Sequence, residues 1–307
     1  MDALADTAEP APTASGLIAD GATALAAAGV STARLDAEVL LATACGIDRT
    51  ALYARGRQPV TVAAGQAFAA FLRRRLRREP LQYIVGRQEF WSLDFVVTPD
   101  VLVPRPETEL LVELVLSLLP PVNLPSPSAP LFQRGGSEET GHPSICDLGT
   151  GSGCLAVALA CELPSARIVA VDQSAAALAV ARENAQRLGA EQIRFVEGDL
   201  LAPLADERFD FIVCNPPYIA SAVLEQLQPE LAWEPHGALD GGADGLDCIR
   251  RVIPAAAAQL VSGGWLLMEI GADQGAAVLA LAQAAGLRDA SVRADYAGLS
   301  RVLSARR

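Results

Sequence analysis

Apolar and polar positions along this chain change their period twice. From Ser15 to about Arg78 the apolar residues recur at helical spacing: Leu17, Leu25 and Val30, then Leu35, Val39, Leu40 and Leu41, then Phe68, Phe71, Leu72 and Leu76. Gly29 and Gly46 fall where such helices would end. The third helix, from about Val62, closes in Arg73, Arg74, Arg75, Arg77 and Arg78 ahead of Glu79-Pro80. The period then shortens. Gly86–Trp91 and Leu93–Val97 alternate around Ser92 and predict a short hairpin. Prolines keep Val103-Pro104-Arg105-Pro106-Glu107-Thr108-Glu109 extended, and Pro106 suits the first position of a helix running to Leu119. Glu107 and Glu109 would sit in its first turn, where the helix dipole favours them; the block also suits a rigid connector at the mouth of a cleft. Pro120 to Pro143 is rich in Pro, Ser and Gly and reads as a mobile linker or insertion.

From Ser144 onward, short apolar runs alternate with helical stretches. Ile145–Leu148, Arg167–Asp172, Ile193–Asp199, Phe209–Cys214 and Gly264–Ile270 read as strands. Between them, Cys154 to Cys161, a helix capped by Ser174 and running to Leu188, Cys248 to Val261, and Gln274 to Ala285 read as helices. Leu287–Arg293 and Arg301–Leu303 form a last strand pair turning around Gly298. This β-α repeat predicts an α/β fold with a mostly parallel sheet covered by helices, preceded by a small helical domain. The expected boundaries are a disordered tail over 1–14, a helical domain over 15–84, hairpin and connector helix over 85–119, an insertion over 120–143, and the α/β domain over 144–307.

Composition narrows the function. At 307 residues the chain is long enough for two domains. It is 51% hydrophobic, and all 24 basic residues are arginine, which fits a GC-rich codon bias. A net charge of -12 argues against wrapping nucleic acid as a main activity. Yet nine arginines lie from Arg49 to Arg87, against Glu79 within the stretch and Asp48 just outside it. The run at Arg73–Arg78 reads equally as cations complementing a helix C-terminus and as a docking patch for an acidic or RNA-associated partner. Six scattered cysteines without a C-x-x-C pair, and two histidines, give no metal framework. They fit the reduced thiols of a cytoplasmic protein. No apolar run is long enough to span a membrane, and the acidic, Pro/Ala/Thr-rich start lacks the basic and apolar regions of a signal peptide.

The candidate chemistry sits at the ends of the predicted strands. Asn215-Pro216-Pro217-Tyr218 follows the run Phe209–Cys214. Two prolines cannot donate to a sheet ladder, so the strand stops there, and in open parallel sheets that end is where ligands bind. Asn215 offers an acceptor oxygen and two N–H donors on a stiff turn, and the Pro216 carbonyl is a second acceptor. Two adjacent acceptors suit a substrate NH2 group; the bland alternative is a Pro-Pro turn ending a strand. Gly149-Thr150-Gly151-Ser152-Gly153 forms a tight loop after the first strand, where glycine lets backbone approach a ligand closely. Asp172 ends the next strand about two dozen residues on, placed to bind ribose hydroxyls. Asp147, Asp172 and Asp199 would repel phosphates but suit a ligand with a sulfonium, an amino group, ribose hydroxyls and an adenine amine. S-adenosylmethionine fits that description. Each acid taken singly also reads as a turn or cap residue.

These residues carry a resemblance. Glu89–Leu93, Pro104–Glu109, Asp147–Gly153, Asp172, Asn215–Ile219, Glu234-Pro235 with Ala238-Leu239, Gly241-Gly242 with Asp244–Leu246, and Asp295–Gly298 with Arg301-Val302 together resemble the protein-(glutamine-N5) methyltransferases of peptide chain release factors, the PrmC/HemK family. The likeness runs from about Ala14 to Leu303. It implies a Rossmann-like class I methyltransferase domain with a seven-stranded sheet, and a helical domain that helps grip the release factor. It further implies methyl transfer from S-adenosylmethionine to the N5 amide nitrogen of the glutamine in the factor's Gly-Gly-Gln motif. The cofactor would lie on Gly149, Thr150, Gly151, Ser152, Gly153, Asp172, Asp199, Leu200 and Asn215, with no metal. Leu200 stands where some family members carry a tryptophan. Asn215, Pro216, Pro217 and Tyr218 would act on the substrate: Asn215 Oδ1 and the Pro216 carbonyl accept from the amide NH2, and Tyr218 packs against its plane. No strong base accompanies the motif, His236 being the nearest candidate, so catalysis is expected from positioning. The protein is expected to act as a cytoplasmic monomer on class I release factors, without stable nucleic-acid or membrane binding. The rival reading is an adenine-N6 methyltransferase of DNA or RNA, which uses the same N-P-P-Y logic on an exocyclic amine but needs a basic face and a flipped-base pocket.

Overall fold

A computed structural model of the chain describes residues 12–119, 142–224 and 226–307. The expected tail and insertion lie, apart from their last residues, outside the described residues. The backbone divides into two units: the described chain up to Gly86 together with Pro229–Trp233, and the rest.

The first unit is helical: α1 (Ala14–Ala27), α2 (Ala33–Cys45), α3 (Arg49–Ala54), α4 (Val62–Leu76) and α5 (Leu81–Val85). Thr13, Asp48 and Thr61 cap α1, α3 and α4 through their side chains, and Gly46 ends α2 in the left-handed region. Leu25, Leu40, Leu41, Leu52 and Phe68 form the core. One expectation fails here. Leu35 is 41% exposed, while Asp36 and Glu38 of the same helix are buried. Both acids are paired, which is what permits their burial. Asp36 Oδ2 accepts from Arg75 Nε at 2.7 Å. Glu38 accepts from Arg34, Arg49 and the Tyr53 hydroxyl.

The arginine run is also used within this unit. Arg74 pairs with Glu79, and Arg75 reaches both Asp36 and Glu230. Arg78 holds Glu230 with two hydrogen bonds of 2.8 Å and donates to the carbonyls of Ala28 and Gly29. Only Arg73 and Arg77 of the run are exposed, so little of it is left as a docking patch.

The second unit opens with the predicted hairpin, β1 (Arg87–Phe90) and β2 (Leu93–Val96). Its two-residue turn, Trp91-Ser92, takes positive φ at both positions, the geometry that matches strand twist. The Trp91 N–H donates to Glu109 Oε1 at 2.7 Å. The connector differs from expectation: Pro106–Thr108 is a 3-10 turn, and α6 runs from Glu109 to Leu118.

The remaining strands are β3 (Ser144–Leu148), β4 (Arg167–Asp172), β5 (Arg194–Glu197), β6 (Phe209–Cys214), β7 (Leu260–Glu269), β8 (Arg288–Ala294) and β9 (Ser300–Arg306). They form one seven-stranded sheet in the order β5-β4-β3-β6-β7-β9-β8. All neighbours from β5 to β7 are parallel, and β8 and β9 close the edge antiparallel. This is the α/β methyltransferase-type sheet that the repeat and the resemblance implied. The helices are α7 (Cys154–Glu162), α8 (Ala175–Arg187), the short α9 (Ser221–Leu224), α10 (Asp247–Gln259) and α11 (Gly275–Ala284). Alternate residues of the central strands feed two cores. Ile145, Phe211, Val213 and Leu267 pack with α6 and α7, while Cys146, Ile212, Leu266 and Met268 pack with α10 and α11. Strand order reverses between β3 and β6, so the carboxyl ends of these two strands flank the switch point where such sheets bind ligands.

Candidate active site

Two loops leave the sheet side by side at that point. Leu148 is paired with Cys214, so the glycine loop after β3 and the Asn215–Tyr218 turn after β6 start about 4.8 Å apart, the ordinary strand spacing.

The glycine loop is shaped by backbone geometry. Gly149, Gly151 and Gly153 all have positive φ, which a side chain strongly disfavours. Gly149 and Thr150 donate to the Val171 carbonyl, tying the loop to β4. A Cβ on Gly153 would meet Ala181 of α8 at 3.1 Å, whereas a Cβ on Gly149 or Gly151 would meet nothing within 4 Å. The loop is therefore tight against α8 at one end and bare at the other. Thr150 and Ser152 are buried. The Thr150 hydroxyl donates to Asp147 Oδ2 at 2.7 Å, and its carbonyl accepts from Gly153 N at 2.8 Å, so Thr150 holds the shape of the loop. Asn184 of α8, fully buried, fixes the arrangement. Its Nδ2 donates to the Ser152 and Val96 carbonyls, and its Oδ1 accepts from the Val96 N–H.

Two acids flank the loop. Asp172 accepts from Gly151 N and Ser174 N, both at 2.9 Å, so it orders the loop and keeps free lone pairs. Asp147 is 1% exposed, and its Oδ1 is buried without a hydrogen-bond partner among the described residues. Burial pushes its carboxyl up from 3.8 to about 7 against the Thr150 hydroxyl and the Ala156 backbone N–H, which hold it down, and the nearby charge of Asp172 adds to the rise. A buried carboxylate beside bare glycine backbone fits the cationic end of S-adenosylmethionine, with Gly149, Gly151 and Asp172 as its neighbours. Two more predicted positions, Asp199 and Leu200, follow β5. Asp199 follows the end of β5 and forms an exposed ion pair with Arg251 of α10. Leu200 adopts positive φ and packs, half-buried, on the α10–α11 core.

On the β6 side, Asn215 Nδ2 donates to Thr108 Oγ1 at 3.2 Å. Among the described residues, no hydrogen bond reaches Asn215 Oδ1 or the Pro216 carbonyl. Tyr218, expected to lie on a substrate amide, sends its hydroxyl to Glu269 Oε1 at 3.1 Å and packs half-buried on the core. Burial and the Glu269 charge hold its phenol above the usual range. The chain beyond is stapled: Ile219 pairs with Leu239 and Gly241, and Gln274 Nε2 donates to the carbonyls of Tyr218 and Gly245. Glu234, 7% exposed, accepts from the Val103 N–H and from Arg105, which seats the proline-rich connector. His236 is exposed, 3.8 Å from Asp240.

Sequence reasoning quoted Thr108 without a role and missed Glu269, which is 1% exposed. A signal existed. The predicted strand Gly264–Ile270 carries a carboxylate at its carboxyl end, as the Asp172 strand does. Among the described residues no group of three or more His, Cys, Asp or Glu is placed to hold a metal ion, and no helix is long and apolar enough to cross a membrane.

Known proteins share these features. A family model described as "PrmC N-terminal domain" matches residues 16–86, and one described as "Methyltransferase small domain" matches residues 137–234. The chain is 46% identical over 283 residues to the release factor glutamine methyltransferase of Geobacter sulfurreducens, covering 92% of each protein. It is 47% identical over 285 residues to the same enzyme of Moorella thermoacetica, covering 92% of this chain and 94% of that one. Among solved structures, a methyltransferase from Pyrococcus furiosus aligns with a TM-score of 0.50 at 17% identity, over 76% of this chain and 97% of its own, a likeness of fold.

Proposed function

The chain belongs to the release factor glutamine methyltransferase family, and on that premise we propose how its residues carry out the reaction. The enzyme transfers a methyl group from S-adenosylmethionine to the side-chain amide nitrogen of a glutamine in a peptide chain release factor. The observation that carries the assignment of residues is the register Leu148 to Cys214. It sets the glycine loop, with the buried Asp147 carboxyl, directly beside a turn whose two acceptors, Asn215 Oδ1 and the Pro216 carbonyl, have no hydrogen-bond partner among the described residues.

S-adenosylmethionine, when bound, supplies an electrophilic methyl group on a sulfonium. Asp147, Gly149, Gly151 and Asp172 would hold it. The target is the glutamine of the Gly-Gly-Gln motif of class I factors. Its amide nitrogen is a poor nucleophile because its lone pair is delocalised into the carbonyl. Asn215 Oδ1 and the Pro216 carbonyl would accept from its two N–H groups, turn the nitrogen toward the methyl, and stabilise positive charge as the new C–N bond forms and the S–CH3 bond breaks, its electron pair staying on sulfur to leave a neutral thioether. Once methylated, that nitrogen is strongly acidic and releases its proton to water. Pro216 and Pro217 keep both acceptors in place, and Tyr218 anchors the turn through Glu269. All six cysteines are free thiols, which suits action in the reducing cytoplasm; we take the active form to be a monomer that does not hold nucleic acid stably.

The test is transfer of labelled methyl to a purified release factor, beside the same factor with its Gly-Gly-Gln glutamine replaced and beside an adenine-containing duplex. Label on the intact factor alone is expected. Label on the duplex alone would move the assignment to adenine.

A further inference from the structure

The proposed reaction asks of Asn215 something its backbone cannot provide. The side-chain amide must present oxygen to the substrate, yet its two ends are nearly identical in shape and a half-turn about χ2 exchanges acceptor for donor. Turned the wrong way, Nδ2 would meet the substrate NH2 donor to donor. The orientation must come from a neighbour that can tell the two ends apart.

We propose that Glu269 and Thr108 are positioning residues that set this orientation through a hydrogen-bond relay of fixed polarity. Neither touches the substrate, and the inference rests on the reaction proposed above. Glu269 closes β7 one residue beyond Met268, the partner of Cys214, so it lies beside Asn215 across the sheet. Its Oε2 accepts from Thr108 Oγ1 at 2.7 Å and its Oε1 from the Tyr218 hydroxyl. Burial pushes the Glu269 carboxyl up, while the Thr108 and Tyr218 hydroxyls and the charge of Arg301 favour its ionised form; as a carboxylate it only accepts, so the single Thr108 proton is committed to it. The Thr108 oxygen then has only lone pairs to offer, and the one end of Asn215 that satisfies it is Nδ2, found at 3.2 Å. With Nδ2 taken, Oδ1 is left for the substrate. The same carboxylate anchors Tyr218, so one buried charge fixes both ends of the Asn215–Tyr218 turn. The connector's 3-10 turn acquires a purpose as well, since Thr108 lies within it and is 3% exposed.

The experiment compares wild type, Thr108→Val, Thr108→Ser and Glu269→Gln in the full-length chain. Turnover is measured on the intact release factor at saturating S-adenosylmethionine, with cofactor affinity by calorimetry and the Asn215 side-chain amide signals by NMR, assigned from their loss in Asn215→Ala. Thr108→Val keeps the shape and removes the relay; kcat is expected to fall about 10- to 100-fold, the scale of losing one oriented group, with cofactor affinity within about twofold of wild type. Thr108→Ser restores the hydroxyl and is expected to recover most of that rate. In Glu269→Gln either end of the new amide can face Thr108, so polarity is no longer dictated and an intermediate loss of kcat is expected. The Asn215 amide signals should move in Thr108→Val and Glu269→Gln and stay near wild type in Thr108→Ser. The inference is overturned if Thr108→Val and Glu269→Gln both turn over like wild type, if Thr108→Ser is as slow as Thr108→Val, or if the losses appear only in cofactor affinity. Should Thr108→Val not fold, unchanged kcat in Glu269→Gln alone overturns it. Failure of the reaction assignment looks different, because wild type itself would then leave the intact factor unlabelled.

Discussion

Asp147 offers a test in which stability and binding move in opposite directions. Its carboxyl is 1% exposed and pushed from 3.8 to about 7, first by burial. A carboxyl whose folded-state pKa is raised favours the protonated form. Its contribution is therefore fully present below about pH 4 and is lost as pH rises through about 7. The displacement corresponds to about 4 kcal/mol of destabilisation when the group is fully ionised. Asp147→Asn removes the titration while keeping the shape. Integrating the linkage, the variant should gain about 2.5 kcal/mol on wild type between pH 5 and pH 8. Urea unfolding of both ligand-free proteins at the two pH values measures this directly, since every other titrating group is shared and cancels. A stability difference that stays flat with pH would refute the burial argument.

Binding should respond the other way. The neutral amide offers the cationic cofactor no charge, and its N–H groups compete for the space of the orphaned Oδ1. Affinity for S-adenosylmethionine at pH 8 should fall about 10- to 100-fold, equivalent to roughly 1.4–2.8 kcal/mol. In wild type the affinity should rise with pH through about 7 as the carboxylate ionises. A variant both more stable and unaltered in affinity would leave burial explained and remove Asp147 from the cofactor site.

Three further outcomes follow from the geometry. Asn215→Ala should lose most methyl transfer, about 100-fold or more, with cofactor affinity intact by calorimetry; retained turnover would remove Asn215 from the chemistry. Gly245→Ala drives a Cβ into the Tyr218 carbonyl at a φ of +75°, so it should cost about 3 kcal/mol in denaturant unfolding and slow turnover through the displaced turn; wild-type values for both would show that the loop gives way freely. Asp36→Ala strips one partner from a buried guanidinium that is 6% exposed at its side chain. With Glu230 still 2.9 Å away, the cost should be about 2–3 kcal/mol, below the figure for a wholly orphaned buried charge, and an unchanged urea midpoint would contradict it.

What could be read from the chain depended on whether the governing interaction was local. The β-α alternation is local, and the sheet follows it: Phe209–Cys214 is both the apolar run and β6, and Ser174 caps α8 as its hydroxyl suggested. Helical periodicity was a weaker guide in the first unit, because Asp36 is paired with Arg75 of α4, and Glu38 with Arg49 and Tyr53 of α3 as well as with Arg34 of its own helix. An apolar count along α2 takes Leu35 for core and both acids for surface. The partners of the arginine run were out of reach for the same reason, Asp36 and Glu230 lying 39 and 152 residues away in the chain from Arg75 and Arg78 respectively.

The active site shows both regimes at once. The motif around Asn215 names the residue that meets the substrate but leaves the direction of its amide undecided, since that depends on Thr108 and Glu269, 107 residues before it and 51 residues after Tyr218. Strand register makes the link. Once β6 and β7 are taken as parallel neighbours, the residue that follows Cys214 must lie beside the residue that follows Met268. A buried acid at that position faces an asparagine whose orientation decides whether the substrate nitrogen is met by an acceptor or a donor. The carboxylate at the end of β7 therefore belongs to the site as fully as the one at the end of β4: one orders the glycine loop, the other the turn beside it.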